Sequence, residues 1–316
     1  MRSADESTGA PHDSYENVQE QHQQQQLIVP RLVEERPIAP RIIDLIIDSP
    51  ALGRQGTVRL ILPVSFQSDP FRRWPVLYLL HGCCDDYTAW TRETDIAALT
   101  EHTGVIVVMP EADRVGWYSN WWNYGHGGPP GWETFHLTEV RELLERNYRA
   151  SPRRAIAGLS MGGFGALSYV ARHPGMFSAA ASFSGIVNTR FQDTAPALLG
   201  LLASEGRDPL ALWGDPKAQV DIWRAHNPGD LVFLLRGIPL YLSSGNGKVG
   251  PLDPPGQGDD PNEALWGVMN ADFAQKLRAV GANAKINLYG PGTHTWPYWQ
   301  RELHSAYPML MRAIGL

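Results

Sequence analysis

The sequence predicts an α/β fold: a mainly parallel sheet with helices on both faces. Three observations predict it. Continuous apolar runs of strand length, such as Pro75–Leu80 and Val105–Met109, read as strands buried on both sides. Between such runs lie segments with helical spacing; in the stretch from Trp132 to Tyr148, Leu137, Val140, Leu144 and Tyr148 fall on one face. Finally, Gly158-Leu159-Ser160-Met161-Gly162 sits where a strand pattern gives way to a helical one. Strands alternating with helices in this way build a parallel sheet covered on both sides.

Taken in order, residues 1–26 end in His22 and four glutamines, lack apolar periodicity, and are expected to form a disordered polar tail. Residues 27–40 alternate charge with Val, Leu and Pro and are expected to lie on the domain as an arm. Ile42 to Ile47 and Thr57 to Pro63 read as strands joined by a turn at Ser49-Pro50 and Gly53. The buried run Pro75–Leu80 ends at His81-Gly82, and one helix is expected from Thr88 to about Thr100. After the strand Val105–Met109 comes an aromatic loop with Trp117, Tyr118, Trp121, Trp122 and Tyr124, then the helix beginning at Trp132.

The helix after Ser160 is expected to run to about His173, followed by a small-residue strand from Phe177 to Phe183. Residues 187–236 interrupt the alternation with Leu198, Leu199, Leu201, Leu202, Trp213 and Trp223. An apolar insertion between late strands is where an enzyme of this architecture carries a lid or an acyl-binding roof. Strand pattern resumes at Ile238–Leu242. A helix carrying Met269, Phe273, Leu277 and Val280 follows, then a last strand Ala284–Tyr289, a loop through His294 and a C-terminal helix. Residues 27–316 are therefore expected to form one domain, with 187–236 as its lid-like insertion.

The chain has 316 residues, enough for a single α/β enzyme with insertions, and a formal charge of −6. No basic face is on offer, so nucleic acid is excluded as the expected partner. No uncharged stretch is long enough to insert into a membrane. The first twenty-six residues lack an apolar signal core, which makes a cytoplasmic location the expectation. The two cysteines, Cys83 and Cys84, are adjacent and form no disulfide framework. They read as small buried hydrophobes, with a reactive thiol or a vicinal disulfide as the alternatives. A zinc site using His81, Cys83 and Cys84 is not expected, because no second ligand pair follows at the required spacing; no metal or cofactor is implied.

The chemistry centres on Ser160. Gly-x-Ser-x-Gly between strand and helix is the sequence form of a nucleophile elbow, in which Gly158 and Gly162 keep Cβ atoms out of a sharply reversing backbone. A serine hydroxyl becomes a nucleophile only when a base takes its proton. His294, on the loop after the last strand, is the histidine placed to do so. A carboxylate must orient that histidine, and Asp253, Asp259, Asp260, Glu263 and Asp272 all lie in the right interval; spacing does not choose among them. The oxyanion needs two backbone N–H groups, expected from Met161 and, in the loop after the early central strand, from Cys83.

Several motifs recur together: Leu79-Leu80-His81-Gly82, Asp86-Tyr87-Thr88-Ala89-Trp90, Trp117-Tyr118-Ser119-Asn120-Trp121, Trp132-Glu133-Thr134-Phe135, Gly158-Leu159-Ser160-Met161, Gly245-Asn246-Gly247 and Gly292-Thr293-His294-Thr295-Trp296-Pro297-Tyr298-Trp299. In this order they resemble the esterase D-like branch of the α/β-hydrolases, most closely the antigen 85 mycolyltransferase type. The resemblance implies the α/β-hydrolase fold and a Ser160–Glu263–His294 triad, with Trp117, Trp296 and His81 near the substrate. Where the mycolyltransferases carry an Asp and an Arg in the sugar-binding loop, this chain has His81 and Cys84. The polar contacts that a disaccharide would use are thus missing. The expected activity is hydrolysis of a small-molecule acyl ester through an acyl-enzyme on Ser160. Acyl transfer to an alcohol or amine is the alternative, and a catalytically silent binding protein of the same fold is the remote one.

Overall fold

The computed structural model describes residues 29–316; the expected disordered tail at 1–26, and the cytoplasmic expectation that rests on it, lie outside the described residues. Among the described residues, nine strands form one sheet in the order β1-β2-β3-β5-β4-β6-β7-β8-β9. They are β1 Arg31–Ala39, β2 Ile42–Ser49, β3 Arg54–Ile61, β4 Trp74–Leu80, β5 Ile106–Pro110, β6 Ala150–Leu159, β7 Ala179–Phe183, β8 Leu240–Gly245 and β9 Ala284–Gly290. β1, β2, β3 and β5 pair antiparallel, whereas every pairing among β4 to β9 is parallel. This is the expected α/β-hydrolase architecture.

Alternation along the strands sorts the core into two layers. Val76, Tyr78 and Leu80 of β4 face one layer with the helices Met161–Arg172 and Pro261–Ala279; Leu77 and Leu79 face the other, with the C-terminal helix Trp296–Ala313. β4 leads to β5 on one side of it, and the chain then crosses back to β6 on the other. The sheet therefore reverses its direction of growth between β4 and β6, and a crevice opens at the carboxyl ends of those two strands. That reversal sets the loop after β4 beside the turn after β6.

Three expectations change. The described part of the arm expected at 27–40 contains an edge strand: Arg31–Ala39 pairs with β2 through bulges, and its exposed charged residues shield the open edge. The helix expected over Thr88–Thr100 is two pieces, Ala89–Glu93 and Ile96–Leu99. Between them, the Thr94 hydroxyl donates to Trp90 O at 2.5 Å and accepts from Ile96 N–H at 3.3 Å, replacing backbone bonds of a continuous helix. The helix from Trp132 to Asn147 has a π turn over Phe135–Val140, yet Leu137, Val140, Leu144 and Tyr148 are all buried on its inner face as expected.

Buried histidines give the fold a pH dependence: burial lowers the pKa of His81, His136 and His226, and for the last two the shift is large. Burial pushes His136 down to about 3; its ring bonds to the Tyr169 hydroxyl at 2.7 Å and donates to Glu111 O at 2.7 Å. Burial, with Arg172 nearby, pushes His226 down to about 4. Both are neutral in the folded chain and protonate near pH 6.5 when unfolded. Their contribution is complete above pH 6.5 and is lost as pH falls, at roughly 1 kcal/mol per pH unit for each. Urea midpoints are expected to drop between pH 6.5 and 5, where most carboxylates remain ionised; a flat profile there would contradict the burial of both rings as neutral species.

Candidate active site

The turn after β6 is a tight reversal. Ser160 lies at φ 52°, ψ −118°, a strained conformation for a residue with a side chain, and the helix Met161–Arg172 begins immediately after it. A Cβ on Gly158 would fall 2.2 Å from Gly162 O, and one on Gly162 would fall 2.3 Å from Leu80 O. No side chain fits at either place. Backbone bonds hold the strained residue: Ser160 N–H donates to Phe183 O at 3.0 Å, and Ser160 O accepts from Phe164 N–H at 3.1 Å and Ile186 N–H at 3.3 Å.

His294 follows β9. Its Nδ1 lies 2.6 Å from Glu263 Oε2. Glu263 is completely buried, three residues into the N-terminal turn of its helix. Its other oxygen, Oε1, accepts from the Ser184 hydroxyl at 2.7 Å, the Ser244 hydroxyl at 3.1 Å and Gly245 N–H at 2.7 Å. A buried carboxylate is tolerable only with such donors around it. Of the five acids left open by spacing, Glu263 is thus the one bonded to the histidine ring. Asp253 bonds Thr293 and Tyr298, Asp259 pairs with Lys248, Asp272 pairs with Lys276, and Asp260 caps the Glu263 helix.

The sequence reading overlooked the residues that fix this pair. Trp299 packs edge-on against the His294 ring, with centroids 4.8 Å apart, and its Nε1–H donates to Ser184 Oγ at 3.1 Å. His294, Glu263, Ser184 and Trp299 therefore form a closed ring of contacts. The advance signals were weak: Ser184 directly follows β7, and Trp299 closes the motif that begins at Gly292 without a role attached to it. Trp296, expected at the substrate mouth, instead packs edge-on against Trp90 and Trp299 and is not part of the cavity wall. His304 sits on the surface, bonded to Asp95.

At the end of β4, Cys83 and Cys84 are joined as a vicinal disulfide, not two buried thiols. Adjacency leaves their sulfurs no other cysteine to meet. Arg114 clasps this loop, its carbonyl accepting from Cys84 N–H at 2.8 Å and its guanidinium donating to Cys84 O at 2.6 Å. Among the described residues, neither Cys83 N–H nor Met161 N–H donates to any protein acceptor.

His81 does not reach the cavity. It is 1 % exposed; its Nδ1–H donates to Gly82 O at 2.8 Å, and Nε2 accepts from Ala112 N–H at 3.2 Å. Burial holds its pKa below the ordinary histidine value, which keeps the ring neutral. The expected substrate contact is replaced by a role in shaping the loop.

A cavity of about 350 Å³ brings the pieces together. Ser160, His294, Cys83 and Trp117 line it with Ile186, Asn262, Leu265 and Trp266, and the insertion adds Thr194, Ala197, Leu198 and Leu201. Trp117 has a left-handed backbone, φ 54°, and its ring meets Phe164 and Trp213 edge-on. Among the described residues no hydrogen bond joins Ser160 Oγ to the His294 ring, and no group of metal-ligating side chains is present. No helix among them is long and apolar enough to cross a membrane.

Comparison with known proteins follows the same lines. Residues 49–310 match the family described as "Putative esterase". The chain is 31% identical over 286 residues to the diacylglycerol acyltransferase/mycolyltransferase Ag85B of Mycolicibacterium smegmatis, covering 86% of this chain and 85% of that protein. It is 32% identical over 263 residues to the esterase Rv1288 of Mycobacterium tuberculosis, covering 79% of this chain and 55% of that longer protein. Among solved structures it resembles Mycobacterium tuberculosis MPT51, with a TM-score of 0.71 at 23% identity over 89% of this chain and 99% of the other. An S-formylglutathione hydrolase from Agrobacterium tumefaciens gives a TM-score of 0.67 at 16% identity, over 90% of this chain and all of the other; both likenesses concern the fold. An elbow serine, a histidine paired with a buried carboxylate at one cavity, and this extent of similarity lead to one conclusion: the chain belongs to this esterase family of α/β-hydrolases and is an enzyme of the ester-hydrolase or acyltransferase class.

Proposed function

We propose that the chain is a serine carboxylic-ester hydrolase with Ser160 as nucleophile, His294 as general base and Glu263 as the group that orients it. The observation that carries this reading is the 2.6 Å contact between His294 Nδ1 and the buried Glu263 carboxylate, at the cavity that also holds Ser160. With Nδ1–H donated to Glu263, Nε2 is left as the basic nitrogen. The Ser160–His294 hydrogen bond is expected to form when substrate fills the cavity, as catalytic contacts commonly tighten in the Michaelis complex.

Ser160 Oγ attacks the ester carbonyl while its proton passes to His294 Nε2, and the carbonyl oxygen becomes an oxyanion. The unpaired N–H groups of Cys83 and Met161 are the donors assigned to it, the second reinforced by the positive end of the helix that Met161 opens. Collapse breaks the bond to the leaving oxygen, which takes the proton from His294. Water then attacks the acyl-enzyme, gives its proton to the same nitrogen, and the second collapse returns that proton to Ser160 and frees the acid.

The wall composition gives the substrate class. Ile186, Leu198, Leu201, Leu265 and Trp266 are apolar, and His294 is the one ionisable side chain among the lining residues. An uncharged ester with an aliphatic acyl group fits this wall, and an acyl chain ending in a carboxylate does not, since burying a charge without a partner is strongly unfavourable. Leu198 and Leu201 come from the 187–236 insertion, and we assign that insertion as the acyl-binding roof. The similarity to an acyltransferase favours a second reading for the last step, in which an alcohol replaces water.

Ser160→Ala is expected to lower kcat by at least about 10³-fold with the fold intact, and Glu263→Gln by roughly 10²–10⁴-fold. Native rates of nitrophenyl ester cleavage in Ser160→Ala would overturn the assignment. At equal chain length, kcat/KM for a neutral acyl ester is expected to exceed that of its carboxylate-terminated counterpart by about 10-fold or more; equal values would remove the proposed substrate class. Product analysis with added alcohols separates the two readings: free acid alone supports hydrolysis, and a new ester supports acyl transfer.

A further inference from the structure

We propose that Asp260 is a positioning residue for this reaction, one carboxylate that fixes the acid and the base relative to each other. The inference rests on the triad assigned above and goes beyond it. Asp260 Oδ1 accepts from Asn262 N–H at 2.9 Å and Glu263 N–H at 3.1 Å, capping the helix that bears the acid. Asp260 Oδ2 accepts from His294 N–H at 3.0 Å. The two oxygens thus bind the backbones of the two residues whose side chains meet 2.6 Å apart. Helix capping alone would use only the two bonds to Oδ1.

The local chemistry explains why the cap leaves Glu263 free. In a capping box the residue three beyond the cap turns its carboxylate back to the N–H of the capping residue. Here Asp260 N–H is already taken by Gly247 O at 2.6 Å, and the Gly247 amide in turn donates to Gly292 O at 3.0 Å, in the loop leading to His294. Glu263 therefore keeps its carboxylate for the imidazole. Three segments, the turn after β8, the start of the acid's helix and the histidine loop, converge on Asp260. Misplacing a catalytic pair by about 1 Å can lower turnover by 10²-fold without touching substrate contacts.

Two substitutions separate positioning from capping. Asp260→Ser retains a good N-cap but has a single short oxygen, which leaves His294 N–H without its acceptor. Asp260→Asn keeps the shape and one acceptor, so one of the two backbones loses its partner. Both are expected to fold, with thermal midpoints within a few degrees of the parent, and to lose about 10-fold in kcat with KM unchanged. Glu263→Gln is measured beside them. If it is crippled while both Asp260 variants keep the parental kcat, the positioning role falls and the triad stands. If Glu263→Gln itself turns over normally, the triad reading falls and this proposal with it. Parallel losses of thermal midpoint, kcat and KM in both Asp260 variants would also overturn the proposal, by reducing Asp260 to a structural cap.

Discussion

The hydrogen bond between His294 and a fully buried Glu263 is the constraint that the functional half of the molecule serves. A carboxylate stripped of water needs donors on both oxygens, and they come from three segments: Ser184 after β7, Ser244 and Gly245 at the end of β8, and His294 after β9. Each is a carboxyl-terminal strand end. A parallel sheet is the arrangement that brings so many such ends to one edge. The charge is thus held by the topology, and the N-terminus of its own helix adds a favourable field.

The same edge carries the other requirement, a serine forced into an unfavourable backbone conformation. The reversal of strand order between β4 and β6 puts Leu80 opposite Gly158, so the loop with the free Cys83 amide stands beside the elbow with the free Met161 amide. Gly162 packs directly on Leu80 O, and Tyr118 ties the aromatic loop to His81 O at 2.8 Å. Oxyanion loop, elbow and aromatic wall are therefore one packed unit. The insertion contributes aliphatic side chains to the same cavity, whose wall is mainly apolar.

Much of this was legible in the sequence where local chemistry dictates structure. The apolar runs of β4 and β5 admit only buried strands, and Gly158, Ser160 and Gly162 admit only a tight strand-to-helix turn. His294 could be singled out because a base must follow the last strand. Glu263 could not be chosen from five acids by spacing, since the choice depends on which carboxylate the fold buries; there the family resemblance supplied the answer. Asp260 entered only as one of those five acids, and its bond to His294 N–H depends on a contact between segments 34 residues apart. Ser184 and Trp299 were hidden for the same reason. His81 and Trp296 misled because a conspicuous residue type next to a catalytic segment can pack on its own fold as readily as it faces substrate: His81 is buried under its loop, and Trp296 packs edge-on against Trp90.

Covalent trapping addresses the central claim most directly. The intact enzyme and its Glu263→Gln variant are treated with an excess of a fluorophosphonate ester, and the rate and site of phosphonylation are followed by mass spectrometry. The expected result is one adduct per chain, on Ser160, forming at least about 10²-fold more slowly in the variant because an unoriented imidazole no longer takes the proton. Adduct formation at another residue, or at Ser160 with equal rates in both proteins, would contradict the claim that His294, held by the buried Glu263, activates Ser160.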